Sequence, residues 1–209
     1  MGRRIFWYLF LLNCIIHFTL TPACVLFSLE ILDLGRIGIT PYVLNYLDRL
    51  FLASILLLIL LVISIKKKLY MDFNKVFILF LLTTTLMWDI LGNFFGFYDV
   101  NGIFGIFWFD DVVHLITPAF LSIGITWYLY YFKNIKKNLS IILGGTISFS
   151  LSVLWELYEY WSDILFNTGM VKDGIRDTMM DLTDGLIGIL LCMIILGIMI
   201  KEARKNNRS

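Results

Sequence analysis

The stretch Asp110-Asp111-Val112-Val113-His114 opens an apolar segment that continues to Phe132. The segment is long enough to cross a membrane, and it carries two carboxylates and an imidazole at its head. On a helix, Asp110 lies one turn before His114, and Asp111 lies three residues before it, so the three side chains share one face. Ionisable groups in a membrane segment are costly and mark functional sites by default. We therefore expect a functional site at this end of the segment.

The composition is that of a polytopic membrane protein. Of the 209 residues, 59% are hydrophobic and 16% are charged, whereas soluble domains carry roughly 25% charged residues. The net charge is +1, and neither a basic patch nor a binding motif indicates a nucleic-acid partner. Cys14, Cys24 and Cys192 lie in apolar runs, and their spacing fits neither a disulfide framework nor a zinc motif. We predict that they are buried thiols.

Six apolar runs are long enough, or nearly so, to span a bilayer, which takes about 20 residues. They cover residues 5–29, 50–65, 76–95, 110–132, 139–165 and 178–200. The sequence therefore predicts an all-α fold in which residues 1–200 form one domain, a bundle of six transmembrane helices in the lipid bilayer. A polar tail, 201–209, is expected to follow it in the cytoplasm.

The positive charges predict the orientation of this bundle. Lysine and arginine cluster before the first run and after the second, fourth and sixth runs: Arg3, Arg4, Lys66, Lys67, Lys68, Lys75, Lys133, Lys136, Lys137, Lys201, Arg204, Lys205 and Arg208. With six spans, all four clusters fall on one side, which the positive-inside rule makes cytoplasmic. We expect a multi-pass protein of the inner or plasma membrane with both termini in the cytoplasm.

This topology brings acids from several helices to the outer half of the membrane. The fifth and sixth runs each carry three acids at helical spacing: Glu156, Glu159 and Asp163, then Asp177, Asp181 and Asp184. Each set forms a single stripe on its helix. Asp89 and Asn93 lie near the outer end of the third run. We predict a polar pocket in the outer third of the bilayer, open to the outside.

Carboxylates placed side by side in a low dielectric bind cations, share protons or pair with basic side chains. Lys172 and Arg176 lie near in sequence, and they are too few for so many acids, so a metal or shared protons remain. Carboxylate oxygens with one imidazole suit Mg²⁺, Mn²⁺, Zn²⁺ or non-haem iron. The predicted metal ligands are Asp110, His114, Glu156, Glu159 and Asp181, and the predicted catalytic carboxylates are Asp177, as general base, and Asp111.

A structural interpretation of some acids stays open. Asp110, Asp163 and Asp177 lie near helix ends, where carboxylates often only cap the helix or are solvated. Glu156 and Asp181 lie deeper on regular helical spacing and are harder to explain in this way. The connection 94–109, rich in Phe and Gly, is either an interfacial aromatic belt or a lipid-contacting lip over the pocket.

Three motifs in order carry a resemblance to a known family. They are Asp110-Asp111-x-x-His114, Trp155-Glu156-x-x-Glu159-Tyr160, and Asp177-Thr178-x-x-Asp181 with Gly188 beyond. From the third run on, the chain resembles the YjdF-like bacterial inner-membrane proteins, whose function is not established. It resembles more distantly the VanZ-like proteins, whose association with teicoplanin resistance implies cell-envelope lipids or precursors. Tyr160 stands where this pattern has Trp, and Gly185 stands where it has a polar residue.

Three functions remain open from the sequence. The first is a metal-dependent hydrolase or transferase that acts on an outer-leaflet lipid or a lipid-linked precursor. The second is a transporter of a divalent cation, or of a lipid coupled to protons, although no charged residue lies deep in the inner half. The third is a non-catalytic membrane scaffold or resistance factor whose acids only fix helix packing.

Overall fold

The computed structural model describes residues 2–34, 47–98, 105–106, 108–166, 168, 171 and 174–200. The long elements are α1 (Gly2–Ser28), α2 (Leu47–Lys66), α3 (Phe73–Phe95), α4 (Phe109–Tyr131), α5 (Lys137–Phe166) and α6 (Ile175–Met199). A short 3-10 turn, Leu69–Met71, lies between α2 and α3, and the described part of the chain contains no strand. All six helices are long and apolar enough to cross a membrane. The predicted all-α, six-helix fold is confirmed.

Several helices extend a few residues beyond the predicted apolar runs, and at the start of α3 a polar side chain caps the extension. The run predicted from residue 76 belongs to a helix that begins at Phe73. Asp72 caps it, since its carboxylate accepts hydrogen bonds from the backbone N–H groups of Asn74 and Lys75 at 2.9 and 3.4 Å. Similarly, α6 begins at Ile175 rather than at 178. The predicted tail 201–209 lies outside the described residues.

Helix α4 is central to the bundle. It packs against α3, α5 and α6, while α1 packs against α3 and α2. In the described part of the chain, α2 approaches only α1, the 3-10 turn and a short stretch of α3, and it stays away from α4 and α5. Helices α2, α4 and α6 begin at the same end of the bundle. We call it the acidic end, because most of the predicted site residues lie there.

Two glycines of α6 allow it to approach α4 closely. A Cβ at Gly188 would collide with the carbonyl group of Leu115, and a Cβ at Gly185 would lie 3.3 Å from Pro118 Cγ and 3.5 Å from the His114 carbonyl oxygen. Pro118 has no N–H to donate to that carbonyl, so the helical ladder is interrupted one turn after His114. The histidine therefore lies on a turn of α4 that α6 closely covers.

Buried polar side chains join α1 to its neighbours. His17 is fully buried, and its Nδ1 lies 3.1 Å from the hydroxyls of both Ser54 and Thr21. The Asn13 amide lies 3.0 and 3.2 Å from the hydroxyls of Thr83 and Thr84. The three cysteines are buried and free, which confirms their prediction as buried thiols.

Candidate functional site

The acidic end holds two polar clusters that lie side by side. The first, the histidine cluster, surrounds His114 and consists of Asp110, Asp111, His114, Glu156, Asp177, Asp181 and Asp184. The second, the arginine cluster, surrounds Arg49 and consists of Arg49, Asp89, Asn93, Tyr98, Trp155 and Glu159. Apart from Asp163, the predicted acids divide between these two clusters.

In the histidine cluster, both ring nitrogens of His114 face carboxylates. Nδ1 lies 3.3 Å from Glu156 Oε1. Nε2 lies 3.6 Å from Asp110 Oδ1 and 4.0 Å from Asp181 Oδ2. Glu156 and Asp181 are only 4% and 5% exposed, so these two acids are enclosed by protein. The imidazole is therefore the centre of a buried acidic site.

The side chains of the histidine cluster come from three helices, α4, α5 and α6. Asp110 lies in the first turn of α4, and His114 follows one turn later. Asp181 lies six residues after the start of α6, about 9 Å along its axis. Glu156 comes from α5, which runs toward the acidic end and stops at Phe166. The close approach of α6 at Gly185 brings Asp181 within reach of the imidazole.

Within the described residues, two groups of side chains have a geometry that could hold a metal ion. One is His114, Glu156 and Asp181, and the other is Asp111, Asp181 and Asp184, with the ligand atoms of each group within 4.8 Å of one another. Asp181 belongs to both groups, as a carboxylate that bridges two ions would. One imidazole and several carboxylate oxygens match the ligand preferences of Mg²⁺, Mn²⁺ and Zn²⁺. The donor set therefore fits one or two divalent ions.

The structure brings four of the five predicted ligands together and separates the fifth. Glu159 turns to the arginine cluster, where it accepts a 2.9 Å hydrogen bond from Trp155 Nε1 and lies 3.9 Å from Arg49 Nη1. The predicted catalytic acids, Asp111 and Asp177, both interact electrostatically with His114. Their roles stay predictions.

Asp163 has a local structural contact. Its carboxylate accepts hydrogen bonds from the Thr168 hydroxyl at 2.5 Å and from the backbone N–H of Val171 at 2.9 Å. Both partners lie in the connection that follows α5. Asp184, in contrast, belongs to the second potential metal group, although the sequence left its role open beside Gly185.

In the arginine cluster, the guanidinium of Arg49 offsets part of the charge of Asp89 and Glu159. Arg49 Nη2 lies 3.0 Å from Asp89 Oδ1, and the guanidinium lies 5.4 Å from the centroid of the Trp155 ring. Asp89 Oδ1 also accepts hydrogen bonds of 3.3 Å from Tyr98 Oη and Asn93 Nδ2. Burial, and then the charge of Asp89, raise the pKa of Tyr98 well above its usual range, so its hydroxyl stays a donor.

Arg49 is a side chain of the candidate site that the sequence argument did not include. That argument counted only Lys172 and Arg176 as counter-charges, because they are near the acids in sequence. The fold instead brings Arg49 from the start of α2 to Asp89 and Glu159. A usable signal was present, since a basic residue at the head of an apolar run on the side poor in positive charge needs an acidic partner.

A cavity of about 430 Å³ adjoins both clusters between α2, α3, α4 and α5. Arg49, Asp89, Asp110, His114 and Glu159 line one end, and the remaining wall is mostly apolar: Leu52, Leu56, Leu86, Val113, Leu121 and Leu151. The predicted polar pocket is thus amphipathic, because deeper turns of α2, α4 and α5 contribute aliphatic side chains to its wall.

The aromatic connection is described only in part. Tyr98 belongs to the arginine cluster, and Trp108 is 58% exposed just before α4. The predictions of a belt or a lip at 99–104 and 107 lie outside the described residues.

The fold and the composition define a polytopic α-helical membrane protein. A sequence profile described as "Predicted membrane protein (DUF2238)" matches residues 22–202, and the chain belongs to that family. An uncharacterized protein of Thermotoga maritima is 25% identical over 116 residues, which are 53% of this chain and 56% of that protein. The chain thus spans about half the length of the relative it matches. No solved structure matches the chain.

Proposed function

We propose that this protein is a metal-dependent hydrolase or transferase that acts on a cell-envelope lipid or a lipid-linked precursor. One observation carries the proposal: the group of His114 with the buried acids Glu156 and Asp181 adjoins an amphipathic cavity that His114 itself lines. The cavity gives an amphiphile access to the imidazole side of the cluster. The family match is compatible with the YjdF-like resemblance, while the VanZ-like resemblance stays a prediction.

The two groups of side chains with metal-binding geometry indicate which residues would be the metal ligands. His114, Glu156 and Asp181 would hold one divalent ion, and Asp111 and Asp184 would share Asp181 for a second. Such ions, when bound, polarise a carbonyl or phosphoryl oxygen and make water a stronger acid. Asp110, 3.6 Å from His114 Nε2, would hold the orientation of the ring, as carboxylates beside metal-bound histidines do.

A further carboxylate would accept the proton that the reaction releases. Asp177, in the first turn of α6, is the proposed general base that accepts the proton of the attacking water.

The basic residues of the opposite end, such as Arg3 and Lys67, favour a cytoplasmic location for that end. The acidic end would then face the outer leaflet, as the proposed action on an outer-leaflet lipid requires.

The test is elemental analysis of protein purified in detergent without chelators. Wild type is expected to carry near-stoichiometric metal. His114→Ala and Asp181→Asn are expected to lose it, and Asp89→Asn, a change in the arginine cluster, is expected to keep it. Wild-type protein that binds no metal after addition of Mg²⁺, Mn²⁺ and Zn²⁺ would contradict the proposal and favour shared protons.

A second function, proton- or cation-coupled transport, is favoured by the polar stripe of α1. His17 is fully buried, and its Nε2 has no hydrogen-bond partner among the described residues. His17 interacts electrostatically with Asp89 of the arginine cluster, while Asn13 continues the stripe one turn away. These side chains would supply the path toward the inner half that charged residues alone do not.

Flux measurements in proteoliposomes test transport. Transport predicts pH- or cation-driven flux that His17→Ala abolishes and that Thr19→Ala, on the exposed face of the same helix, leaves intact. The absence of flux in wild type excludes transport. A pure scaffold predicts instead that replacing Glu156 and Asp181 together by Gln and Asn changes stability and leaves the cellular phenotype unchanged.

A further inference from the structure

The amphipathic cavity opens sideways, between α2 and α5. Leu52 and Leu56 of α2 line it and are 69% and 46% exposed, and Leu151 and Trp155 of α5 line it and are 42% and 38% exposed. Side chains that face both the cavity and the outside form a rim. In a membrane, this rim faces the hydrocarbon chains of lipids, so the cavity is accessible from the bilayer itself.

The two helices that border this opening do not pack together. In the described part of the chain, α2 and α5 make no close backbone contact, and the polar contacts between them all involve Arg49, which reaches Glu159 and the Trp155 ring. Aliphatic walls without a covering helix allow a chain to enter from the side, while Arg49 crosses the opening at its polar end.

The dimensions and polarity of the cavity fit one hydrocarbon chain with a polar group at its end. From Arg49 to Leu56, and likewise from His114 to Leu121, the wall extends about 10 Å along the helix. The aliphatic side chains lie at the far end, and Arg49 and His114 lie at the near end. A hydrated ion or a sugar alone would leave the aliphatic wall unmatched. The volume of about 430 Å³ lies in the ordinary range for ligand sites.

Arg49 suggests the chemistry of the polar group. A guanidinium binds phosphate through paired, geometrically matched hydrogen bonds. Asp89 and Glu159 hold this guanidinium beside the cavity, so its position is set before a ligand enters. The inference rests on the proposed function, because cations in the histidine cluster would offset the carboxylates that otherwise repel an anion.

We propose that the cavity takes one acyl or prenyl chain of a lipid phosphate from the bilayer, between α2 and α5. The phosphate then lies between Arg49 and the histidine cluster. The substrate class of the proposed enzyme is therefore a phosphate-bearing lipid, which reaches the site laterally and never leaves the membrane.

Photolabelling tests this site. The detergent-purified protein, loaded with Mg²⁺, is mixed with phosphatidic acid that carries a diazirine in one acyl chain, irradiated, and mapped by peptide mass spectrometry. Label is expected on the cavity-lining turns around Leu52 and Leu56 of α2 and around Leu151 of α5. Phosphatidylcholine with the same labelled chain measures headgroup preference, and inorganic phosphate as competitor measures binding of the free anion.

A matched pair of variants on α2 separates the cavity from the outer surface. Ala53 is buried and lines the cavity, so Ala53→Phe is expected to reduce the label by about tenfold, a loss of about 1.4 kcal/mol in binding. Leu58, 52% exposed, faces away, and Leu58→Phe is expected to change nothing. Arg49→Gln is expected to remove the preference for phosphatidic acid.

The outcomes distinguish this inference from the proposed function. Equal labelling by both lipids, label confined to outer surfaces, or inorganic phosphate that binds without any lipid label would overturn the lipid site, even where metal is bound. Since the wild-type map decides these points, a variant that fails to fold does not obscure them. Cavity labelling of a protein that binds no metal would keep the lipid site and overturn the metal-dependent enzyme.

Discussion

The two clusters at the acidic end contain similar carboxylates in opposite electrostatic situations. In the arginine cluster, Asp89 has a guanidinium at 3.0 Å and hydrogen bonds from Tyr98 and Asn93. In the histidine cluster, no described lysine or arginine forms an ion pair with Glu156 or Asp181. Asp89 thus has a basic partner of its own, whereas Glu156 and Asp181 face the His114 imidazole, and a bound cation or shared protons are the proposed compensation for their charge.

This difference teaches which acids carry function. A buried carboxylate with a bound guanidinium fixes the packing of helices, and its loss leaves an uncompensated charge. Buried carboxylates without a basic partner destabilise the fold unless something binds them. Stability lost in this way is typical of functional sites. The comparison therefore supports the proposal that the chemistry takes place at the histidine cluster, while Arg49 joins helices through its ion pairs and, in the proposed lipid site, also binds the phosphate.

The largest expected effect separates two glutamates that lie three residues apart on α5. Glu156→Gln is expected to weaken Mn²⁺ binding by at least about 100-fold, because loss of a direct ligand should exceed the 10- to 100-fold effect of outer partners. Glu159→Gln is expected to leave the affinity nearly unchanged, since Glu159 faces Arg49 and Trp155. Titration followed by electron paramagnetic resonance measures both. Equal losses would merge the two clusters into one site.

The second effect concerns stability. Arg49→Gln leaves Asp89 and Glu159 without their guanidinium in a site that is mostly buried, at a cost of about 3 kcal/mol. For a chain of this length, that corresponds to a decrease in Tm of roughly 6–12 °C. Thermal unfolding in detergent measures it.

The control for this prediction is the double variant Arg49→Gln/Asp89→Asn. It removes both the cation and its closest acid, so it should recover a large part of the lost stability. A double variant that is as unstable as the sum of the two single variants would show that charge compensation is not what Arg49 provides.

The fold could be predicted from the sequence because the length of an apolar run is a local property. The helix ends could not be predicted to the residue, since a cap such as Asp72 extends α3 beyond its apolar part. The residue spacing correctly placed Asp110 and His114 on one helix face. However, residue spacing describes only the geometry within a single helix.

How the acids divide between the two clusters could not be predicted from the sequence, because it depends on how the helices pack. Glu156 and Glu159 are about 60° apart around the axis of α5, so each faces a different neighbour, and no local pattern tells which neighbour is which. Arg49 meets Glu159 across 110 positions of sequence. Gly185, where a polar residue was expected, is explained by the contact with Pro118 and His114 that a side chain would obstruct.

A third effect tests whether the close approach of α4 and α6 holds the histidine cluster together. Gly188→Ala would push its Cβ into the Leu115 carbonyl and is expected to cost about 2 kcal/mol and to weaken metal binding. Gly197→Ala, on the same helix with nothing near its added Cβ, is expected to leave both unchanged or to stabilise the helix slightly. Unfolding and Mn²⁺ titration of the pair measure this. Unaltered metal affinity in Gly188→Ala would show that the histidine cluster does not depend on the close contact between α4 and α6.

The smallest effect has the opposite sign in the two clusters and so tests the comparison directly. With chelator present, Glu156→Gln/Asp181→Asn removes two buried acids that form no ion pair with a described lysine or arginine, and it is expected to stabilise the protein by about 1 kcal/mol, or roughly 2–4 °C in Tm. Asp89→Asn, which breaks an ion pair, is expected to lower Tm under the same conditions. With saturating Mn²⁺, wild type should become more stable than Glu156→Gln/Asp181→Asn, because wild type then gains binding energy that the double variant lacks. Asp89→Asn keeps the histidine cluster, so it should gain the same energy and stay below wild type. If saturating metal leaves the double variant more stable than wild type, the histidine cluster gains no binding energy from the ion and is a structural network like its neighbour.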